Sequence, residues 1–436
     1  MRCVRFSELD GKSIALWGVG RETTALRAQM EQRLPTAEIA AAIDDSTPLE
    51  YARTLLEGVD VLVRSPGVSV YKPLIQEAIR NGVTVTTATG LWLAERGGHR
   101  VIGVTGTKGK STTATVIAHL LKGIEEVELA GNIGRPVIDL LDLPPETWVV
   151  LELSSYQLAD LAAGPQVAVI TNLYREHTDW HGSEARYRAD KLRIFQLPGT
   201  SAAVYPLGDP EIERAARGLP ITVTFADPES WHLSEAGIER GSELVVAREQ
   251  IPLRGAHNAL NVAAAVGAVE AAGLDRPRLP QALAGLEPLP HRLQTVHITQ
   301  DGIEWVDDSI STTPESTIAA VEAFQDREVI LIAGGQDRGQ DHAQLAGVIA
   351  GRRVPTTLIT LPDTGEDLAA AARARGHAEE RMSTARDMRD ATKQAAGLAR
   401  AGNVVLLSPA APSYNVYKNF EERGDEFGAF ARSIGA

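Results

Sequence analysis

Residues 103–113 read GVTGTKGKSTT and lie between a strand-like run at 101–106 and a helical stretch, TATVIAHLL, at 113–121. Glycines at such a junction let backbone N–H groups curl around an anion, and the start of the following helix adds its positive dipole end. Lys110 would then reach the β- and γ-phosphates of a nucleotide, and the Ser111 hydroxyl would bind Mg²⁺. The strict pattern G-x-x-x-x-G-K-[ST] is not met, because Gly103 lies one residue too early. The stretch therefore favours a phosphate-binding loop over the alternative, an ordinary glycine-rich turn.

Short apolar runs, turns and amphipathic segments alternate along the whole chain, as is typical of βα units and parallel sheets. Strands are predicted at 13–20, 38–45, 59–67, 83–90, 99–106, 149–155, 167–173, 302–308, 328–335, 356–361 and 403–409. The segment LEPLPHR (286–292) carries two prolines and breaks the pattern. The sequence thus predicts an α/β fold with three domains, at 1–95, 96–293 and 294–436.

Composition excludes several classes of partner. Of 436 residues, 43 are Lys or Arg and 57 are Asp or Glu, so the formal net charge is 43 − 57 = −14 and no basic run occurs. We therefore expect neither a nucleic-acid-binding nor a membrane-binding surface. The single cysteine, Cys3, rules out an internal disulfide, and the N-terminus lacks the apolar segment of a signal peptide, so a cytoplasmic location is expected.

A second glycine-rich turn, GVGRET (18–23), follows the first predicted strand. It resembles a dinucleotide-binding turn whose third glycine is replaced by Thr23, and the acidic pair Asp44 and Asp45 follows about twenty residues later. A nucleotide-sugar site at the carboxyl ends of these strands and a plain tight turn both remain open.

Several polar residues follow or interrupt buried strands. Glu152 lies within an apolar strand, where a carboxylate needs a cation or a hydrogen-bond partner, so we weigh Mg²⁺ against a structural ion pair. The stretch NLYREHTDWHGS (172–183) offers His177 and His181, for which a surface or indirect role is the alternative, since magnesium prefers oxygen ligands. Lys191, on a predicted amphipathic helix at 187–195, has no distinguishing feature beyond an ordinary solvated charge.

Taken in order, these stretches resemble the Mur ligase family, the ATP-dependent amide-forming ligases of peptidoglycan precursor synthesis. The resemblance covers all three predicted domains. Its matching stretches are GVTGTKGKSTT, GNIG (131–134), LELSSYQL (151–158), NLYREHTDWH (172–181), YRADKLRIF (187–195), GAHNALN (255–261), LPHR (289–292), VDDS (306–309), GGQDRG (334–339) and LSPAAPSYNVYKNFEERG (407–424).

The resemblance implies a Rossmann-like UDP-binding N-terminal domain, a central P-loop ATPase domain and a Rossmann-like C-terminal domain that binds glutamate. It implies two Mg²⁺ sites, with metal ligands drawn from Ser111, Glu152, His177 and a carbamoylated Lys191, and an orienting role for Asn132. The residues implied for ATP are Gly106, Thr107, Lys108, Gly109, Lys110, Ser111, Thr112, Asn258, Asn261, Arg292 and Asp308. Those implied for the UDP-sugar and the incoming amino acid are Gly18, Val19, Gly20, Arg21, Glu22, Asp44, Asp45, Ser65, Pro66, Gly67, Ser154, Gln157, Thr312, Arg338, Ser413 and Phe420.

Within the family, the SPGV segment (65–68) and the C-terminal tail resemble the branch that adds glutamate to UDP-N-acetylmuramoyl-L-alanine through an acyl phosphate. D-glutamate-adding members often carry DSKATN where this chain has DSISTT (308–313), so Ile310 replaces a lysine. Together with ALWGVGRE, GLWLAE and EHTDWHG, this form more closely resembles the L-glutamate-adding branch, with the D-glutamate enzymes as the alternative. That branch works beside a glutamate epimerase, so we expect such a pairing. We also expect the chain to be a monomer.

Three other functions are alternatives to an amide-forming ligase. Folylpolyglutamate synthetase shares the central ATPase fold but lacks an N-terminal domain of this kind before its phosphate loop. A non-catalytic module derived from a ligase would be free to lose Lys110, Ser111, Glu152, His177 and Lys191, which are all present. A plain NTPase or kinase would leave the C-terminal domain unexplained.

Overall fold

The computed structural model describes residues 3–174, 176–275 and 278–434, so that Arg175 of the predicted 172–183 loop lies outside the described part. The chain divides into two compact units. Unit 1 comprises Met1–Ile251 with Asn258–Leu286, and unit 2 comprises Pro252–His257 with Glu287–Ala436. The predicted N-terminal domain and most of the predicted central domain lie in unit 1, whereas residues 252–257 and 287–293 of the latter belong to unit 2. The boundary between the two predicted domains at 95/96 stays a prediction.

The first part of unit 1 is a four-stranded parallel sheet in the order β2-β1-β3-β4. Its elements are β1 (Ser13–Trp17), α1 (Arg21–Arg33), β2 (Glu38–Ile43), α2 (Leu49–Leu55), β3 (Val61–Arg64), α3 (Pro73–Arg80), β4 (Thr84–Thr86) and α4 (Ala88–Arg96). The strand predicted at 83–90 is therefore wrong in its second half. Thr87 caps a helix there by accepting a hydrogen bond from the Gly90 N–H, and the Leu and Trp side chains that follow are buried in it.

The rest of unit 1 is built on a nine-stranded sheet in the order β13-β12-β11-β10-β9-β8-β5-β7-β6. The strands from β6 to β11 pair in parallel, and β12 and β13 add antiparallel edge strands. Its elements are β5 (Val101–Thr105), α5 (Lys110–Leu121), β6 (Val127–Gly131), β7 (Trp148–Glu152), α6 (Ser155–Leu158), β8 (Val167–Ile170), α7 (Thr178–His181), α8 (Glu184–Leu192), β9 (Ala202–Pro206), α9 (Pro210–Ala216), β10 (Ile221–Phe225), β11 (Trp231–Leu233), β12 (Gly237–Arg240), β13 (Glu243–Ala247), α10 (Ala256–Ala271) and α11 (Leu279–Ala282).

Unit 2 contains a six-stranded sheet in the order β14-β15-β19-β16-β17-β18, parallel except for β14. Its elements are β14 (Gln294–Ile298), β15 (Glu304–Asp307), α12 (Pro314–Glu322), β16 (Val329–Gly335), α13 (Ala343–Gly351), β17 (Thr356–Asp363), α14 (Thr364–Ala374), β18 (Met382–Thr384), α15 (Met388–Leu398), β19 (Val404–Leu407) and α16 (Phe420–Ser433). The α/β prediction is confirmed, because parallel strands with intervening helices make up most of each unit. No helix in the described ranges is both long and apolar enough to cross a membrane.

A buried polar network lies at the end of β15 in unit 2. Asp308 is 5% exposed, and its carboxylate accepts hydrogen bonds from the hydroxyls of Ser311 (2.5 Å) and Ser408 (2.8 Å) and from the Leu293 N–H (3.3 Å). The neighbouring Asp307 Oδ2 lies 2.7 Å from His291 Nδ1. Burial raises the pKa of Asp308 to about 7, since it penalises the charged carboxylate, while the two hydroxyl donors act against this rise. The hydrogen bond to Asp307 raises the pKa of His291.

We expect unit 2 to lose stability as the pH rises from about 4 to about 7. Both groups bind a proton more readily in the folded state than in the unfolded state, so their stabilising contribution is lost as pH rises. For Asp308 the loss runs from its ordinary value near 4 up to about 7, and for His291 it runs from its ordinary value upward. The Asp308→Asn variant should lose most of this pH dependence, worth at most about 4 kcal/mol. Hydrogen exchange of unit 2 peptides between pH 5 and 8 measures it.

Asp326→Asn, at an exposed position of the same unit, is the matched control and should keep the wild-type pH profile. An Asp308→Asn protein whose unit 2 peptides show the wild-type dependence on pH would contradict the assignment to Asp308.

Candidate active site

The predicted phosphate loop connects β5 to α5 and is held against the end of β8. The Thr171 hydroxyl donates to the Lys108 carbonyl (2.6 Å), and the Lys108 N–H donates to Asn172 Oδ1 (2.9 Å). A β-carbon at Gly106, where φ is +145°, would lie 1.9 Å from Thr171 Oγ1, so this position requires glycine. The loop thereby approaches Thr171 more closely than a residue with a β-carbon at position 106 would permit. Helix α5 starts at Lys110, and its first N–H groups are directed to the loop.

The predicted adenine residues belong to the first turns of α10 and lie beside this loop. Asn261 Nδ2 donates to Asn258 Oδ1 (3.2 Å), and both side chains are largely buried. A β-carbon at Gly109, where φ is +81°, would lie 2.4 Å from Asn261 Oδ1. The structure thus brings Asn258 and Asn261 to the phosphate loop, although they are some 150 residues away in sequence.

Glu152 is the last residue of β7 and is 1% exposed. Its Oε1 accepts a hydrogen bond from Asn132 Nδ2 (3.0 Å), whereas its buried Oε2 has no hydrogen-bond partner among the described residues. A buried carboxylate oxygen without a donor is costly, and a hard divalent cation would satisfy it. The donor type and the unsatisfied oxygen therefore fit a Mg²⁺ ligand, and the hydrogen-bond partner of Oε1 is the neutral Asn132 amide rather than a cation.

Lys191 lies on α8 and is 2% exposed, so it is not the solvated surface charge that the sequence indicated. Its Nζ donates to the Gly106 carbonyl (2.7 Å) and lies 3.4 Å from Thr105 Oγ1, which are both neutral oxygens. Burial, followed by the positive charge of Lys110, lowers the pKa of Lys191 well below its ordinary value. The side chain therefore touches the phosphate loop, and its surroundings disfavour the charged ammonium form.

His177 precedes α7 in a left-handed conformation, with φ of +53°, and its side chain is 45% exposed. Its Nδ1 lies 2.9 Å from the Tyr156 hydroxyl, and its Nε2 lies 3.5 Å from Glu176 Oε2. Glu176 in turn pairs with Lys108 Nζ at 2.8 Å. His177 is thus linked to the phosphate loop through Glu176.

The described ranges contain no group of three His, Cys, Asp or Glu side chains close enough to hold a metal ion. A metal here would need other oxygen donors as well, and the Ser111 hydroxyl and a modified Lys191 are the predicted ones. His181 is fully buried, with Nδ1 2.7 Å from Asp190 Oδ2 and Nε2 3.0 Å from Ser155 Oγ, so its role is structural.

The predicted UDP-sugar residues lie at the carboxyl ends of β1, β2 and β3, where parallel sheets commonly bind ligands. Arg21 donates to the carbonyls of Gly131 (2.9 Å) and Gly134 (2.8 Å), and so joins α1 to the GNIG segment. Asp44 Oδ1 accepts hydrogen bonds from Ser46 and Thr47, while Asp45 is exposed. The remaining predicted residues of this edge are Gly18, Val19, Gly20, Ser65, Pro66 and Gly67.

Glu22 is engaged inside unit 1 and does not project freely from the edge of the sheet. Its carboxylate accepts hydrogen bonds from Gln157 Nε2 (2.7 Å) and the Thr89 hydroxyl (3.1 Å), and burial raises its pKa. Gln157 is fully buried, and its Oε1 also accepts from Ser154 Oγ (2.9 Å). Ser154, Gln157 and Glu22 therefore form one continuous chain of hydrogen bonds.

In unit 2, the residues predicted for the amino acid surround the end of β15 and the segment before α16. Ser309 Oγ donates to the Phe420 carbonyl (2.8 Å), and the Ser413 carbonyl accepts from the Tyr417 N–H (2.9 Å). The Arg338 guanidinium is exposed and lies 5.4 Å from the centre of the Tyr414 ring. Thr312 is half-buried, and Arg292 follows the buried His291. The predicted ribose contact of Asp308 stays a prediction, since its carboxylate is engaged within unit 2.

The sequence predicted no role for Arg64 and Trp180, which both make extensive contacts within unit 1. Arg64 ends β3 and is fully buried, and Trp180 of α7 contacts the 65–69 segment. The available signal was an arginine at the end of an apolar strand, because a guanidinium is rarely buried without an acidic partner.

Comparison with known proteins agrees with this geometry. The Mur ligase middle domain matches residues 104–269, and the Mur ligase glutamate ligase domain matches residues 291–411. The UDP-N-acetylmuramoyl-L-alanine--L-glutamate ligase of Xanthomonas euvesicatoria pv. vesicatoria is 38% identical, over 98% of this chain and 97% of its own length. The protein of the same name from Xanthomonas axonopodis pv. citri is also 38% identical, with the same coverage of both chains.

Among solved structures, the MurF ligase of Thermotoga maritima in complex with ADP is similar with a TM-score of 0.62 and 17% identity, over 99% of each chain. At that identity the likeness concerns the fold alone, and it extends over the described α/β units. The sequence relatives and the two matched domains together establish that the chain belongs to the Mur ligase family.

Proposed function

We propose that this chain is an ATP-dependent ligase that joins L-glutamate to UDP-N-acetylmuramoyl-L-alanine, with release of ADP and phosphate. The observation that carries the proposal is the arrangement at one edge of the nine-stranded sheet. A phosphate loop, a carboxylate with one unsatisfied oxygen at Glu152 and the buried amine of Lys191 meet there. The names of the relatives in Xanthomonas support glutamate as the added amino acid and the L form as its configuration.

The residues of the chain would act mainly by positioning and by neutralising charge, which carries most of the catalysis in phosphoryl transfer. The phosphate loop and Lys110 would hold the ATP phosphates, with Asn258 and Asn261 beside the base. Asn132 fixes Glu152 by its hydrogen bond of 3.0 Å and so keeps the free oxygen directed to the site. Bound Mg²⁺ would supply positive charge to the phosphate oxygens, held by Ser111, Glu152, His177 and Lys191.

Lys191 is suited to carbamoylation. Its amine is buried against the Gly106 carbonyl, and an uncharged amine can attack CO₂, lose a proton and become an anionic carbamate. Such a carbamate would supply the oxygen donors that the described acidic and histidine side chains do not provide as a cluster.

The wider setting of the reaction is part of the same proposal. ATP and a UDP-linked sugar are cytoplasmic metabolites, so we place the enzyme in the cytoplasm. We propose separately that it is a monomer. A product that carries L-glutamate also calls for a separate epimerase, if the glutamate is to be inverted at a later step.

The proposal predicts phosphate release only with one amino acid. The protein is incubated with ATP, Mg²⁺ and UDP-N-acetylmuramoyl-L-alanine, and L- or D-glutamate is added separately. We expect release with L-glutamate and little with D-glutamate, because position 310 lacks the lysine that D-glutamate-adding enzymes often carry while Arg338 is kept, and this changes where a carboxylate is held. Release that depends on neither amino acid would refute the ligase, and a preference for D-glutamate would refute the L configuration.

The Lys191→Ala variant should lose activity by a factor of about 100 or more, since it lacks the anionic ligand. Formate or acetate should restore part of the activity by occupying the place of the carbamate. Lys122→Ala, at an exposed lysine just after α5, is the control and should remain active. Full activity of Lys191→Ala would mean that the lysine has no part in the reaction.

Glu152→Gln should abolish the Mg²⁺ dependence of ATP binding, because the amide can still accept the Asn132 hydrogen bond but presents N–H in place of the free oxygen. We expect Mg²⁺-ATP to bind about tenfold more weakly or worse in calorimetric titrations, while metal-free ATP binds as in the wild type. Glu128→Gln, on β6, is the matched control. Unaltered binding of Mg²⁺-ATP to Glu152→Gln would exclude Glu152 as a metal ligand.

A further inference from the structure

Arg64 forms a fully buried ion pair at the end of β3. Its Nη2 and Nε donate to the two carboxylate oxygens of Asp160 at 2.5 Å and 2.7 Å, and both side chains are at most 1% exposed. Nη2 also donates to the Tyr156 carbonyl at 2.6 Å. Tyr156 belongs to α6, and Asp160 follows that helix by two residues, so one half of the guanidinium is bound to the nine-stranded part of unit 1.

The other half of the same guanidinium holds the segment that follows β3. Nη1 donates to the carbonyls of Val68 (3.0 Å), Pro66 (3.2 Å) and Ser65 (3.4 Å). These residues belong to the SPGV segment, which is predicted to contact the UDP-sugar. One planar group therefore joins this segment to α6, which begins three residues after Glu152.

Trp180 provides a second, independent connection to the same segment. Its indole Nε1 donates to the Gly67 carbonyl (3.0 Å), and its own carbonyl accepts from Ser69 Oγ (2.8 Å). The Arg64 guanidinium lies 5.5 Å from the centre of the Trp180 ring, and that ring is stacked on Tyr156 at 4.5 Å. Tyr156 is also the partner of His177.

We infer that Arg64, together with Trp180, is a positioning residue that sets the place of the UDP-sugar relative to the phosphate loop. The inference rests on the proposed function. The carbonyls of residues 65–68 are held from the side of Glu152 and His177, so the sugar-binding segment is fixed to the groups that bind ATP and metal before any substrate arrives. Transfer between a carboxylate and a phosphate requires such fixed geometry, and a displacement of about 1 Å costs roughly 100-fold in rate.

Lysine cannot reproduce this connection. An ammonium is a compact charge on a flexible stem, whereas the guanidinium presents five N–H donors in a rigid plane and so reaches Asp160 and the loop carbonyls at once. In Arg64→Lys the positive charge beside Asp160 is kept, and the loop carbonyls lose their donors.

The test compares Arg64→Lys with Arg96→Lys in steady-state ligation assays. Arg96 is a matched control, because its guanidinium also donates to main-chain carbonyls, those of Leu143, Pro144, Pro145 and Thr147, at a site apart from the SPGV segment. We expect Arg64→Lys to raise KM for UDP-N-acetylmuramoyl-L-alanine about tenfold or more and to leave KM for ATP within about twofold. Calorimetry with the sugar nucleotide alone should show the same loss of affinity. Arg96→Lys should leave both KM values unchanged.

If Arg64→Lys does not fold, the Trp180→Phe variant tests the positioning role in its place. It removes only the N–H donor to Gly67 and should raise KM for the sugar nucleotide about threefold to tenfold, again without a change for ATP. Trp231→Phe, whose indole N–H donates to Glu270 instead, is its control. Equal effects on both substrates, or no effect beyond that of the controls, would overturn the positioning role alone. A wild-type protein that neither binds nor ligates the sugar nucleotide would overturn the proposed function and this inference with it.

Discussion

A backbone approach too close for any β-carbon fixes the arrangement of the site. Gly106 lies so near Thr171 that an alanine methyl group would lie 1.9 Å from its hydroxyl oxygen, and the Gly106 carbonyl accepts the hydrogen bond of Lys191. Because β5 and β8 are neighbours in a parallel sheet, their carboxyl ends meet at one edge, and the loop has little room to move there. The start of α5, the amine of Lys191 and the first turns of α10 are all placed relative to this loop. A larger residue at 106 would displace them together.

Three lysines can lie close together at the phosphate loop because their positive charges are partly neutralised. The chain carries a net charge of −14, yet Lys108, Lys110 and Lys191 meet at the phosphate loop. Three ammonium groups so close in an apolar setting would repel strongly, and the structure relieves this in two ways. Lys108 is paired with Glu176, and burial beside Lys110 lowers the pKa of Lys191, which favours the uncharged form of its amine. The site is thus prepared for anions without accumulating its full positive charge.

The sequence predicted the α/β fold and the phosphate loop, because glycines, the following lysine and the strand periodicity each report a local physical requirement. It predicted the family through the resemblance of motifs spread over the whole chain. Membership in the Mur ligase family is confirmed by relatives that cover 98% of the chain. Prediction from the sequence failed where the surroundings of a side chain depend on residues that are distant along the chain. The burial of Lys191 comes from packing of α8 against the phosphate loop, and the bonds of Arg64 come from Asp160, 96 residues away. The β-branched neighbours of Thr87 favour a strand in the sequence, whereas in the structure its side chain caps α4.

The DSISTT loop of unit 2 shows how such distant contacts narrow the interpretation of a motif. The Ser311 hydroxyl donates a hydrogen bond to Asp308. The Ser309 hydroxyl donates to the Phe420 carbonyl and accepts a hydrogen bond from Arg423 Nε, so neither hydroxyl is a free ligand for an incoming amino acid. The half-buried Ile310 adds no charge, and its N–H is bonded to the His291 carbonyl. Among the residues predicted for the incoming amino acid, Arg338 carries a positive charge, and its exposed guanidinium lies over Tyr414. Without a cation at position 310, Arg338 would hold a carboxylate from a different direction than a lysine at 310 would, and enantiomers differ in that direction.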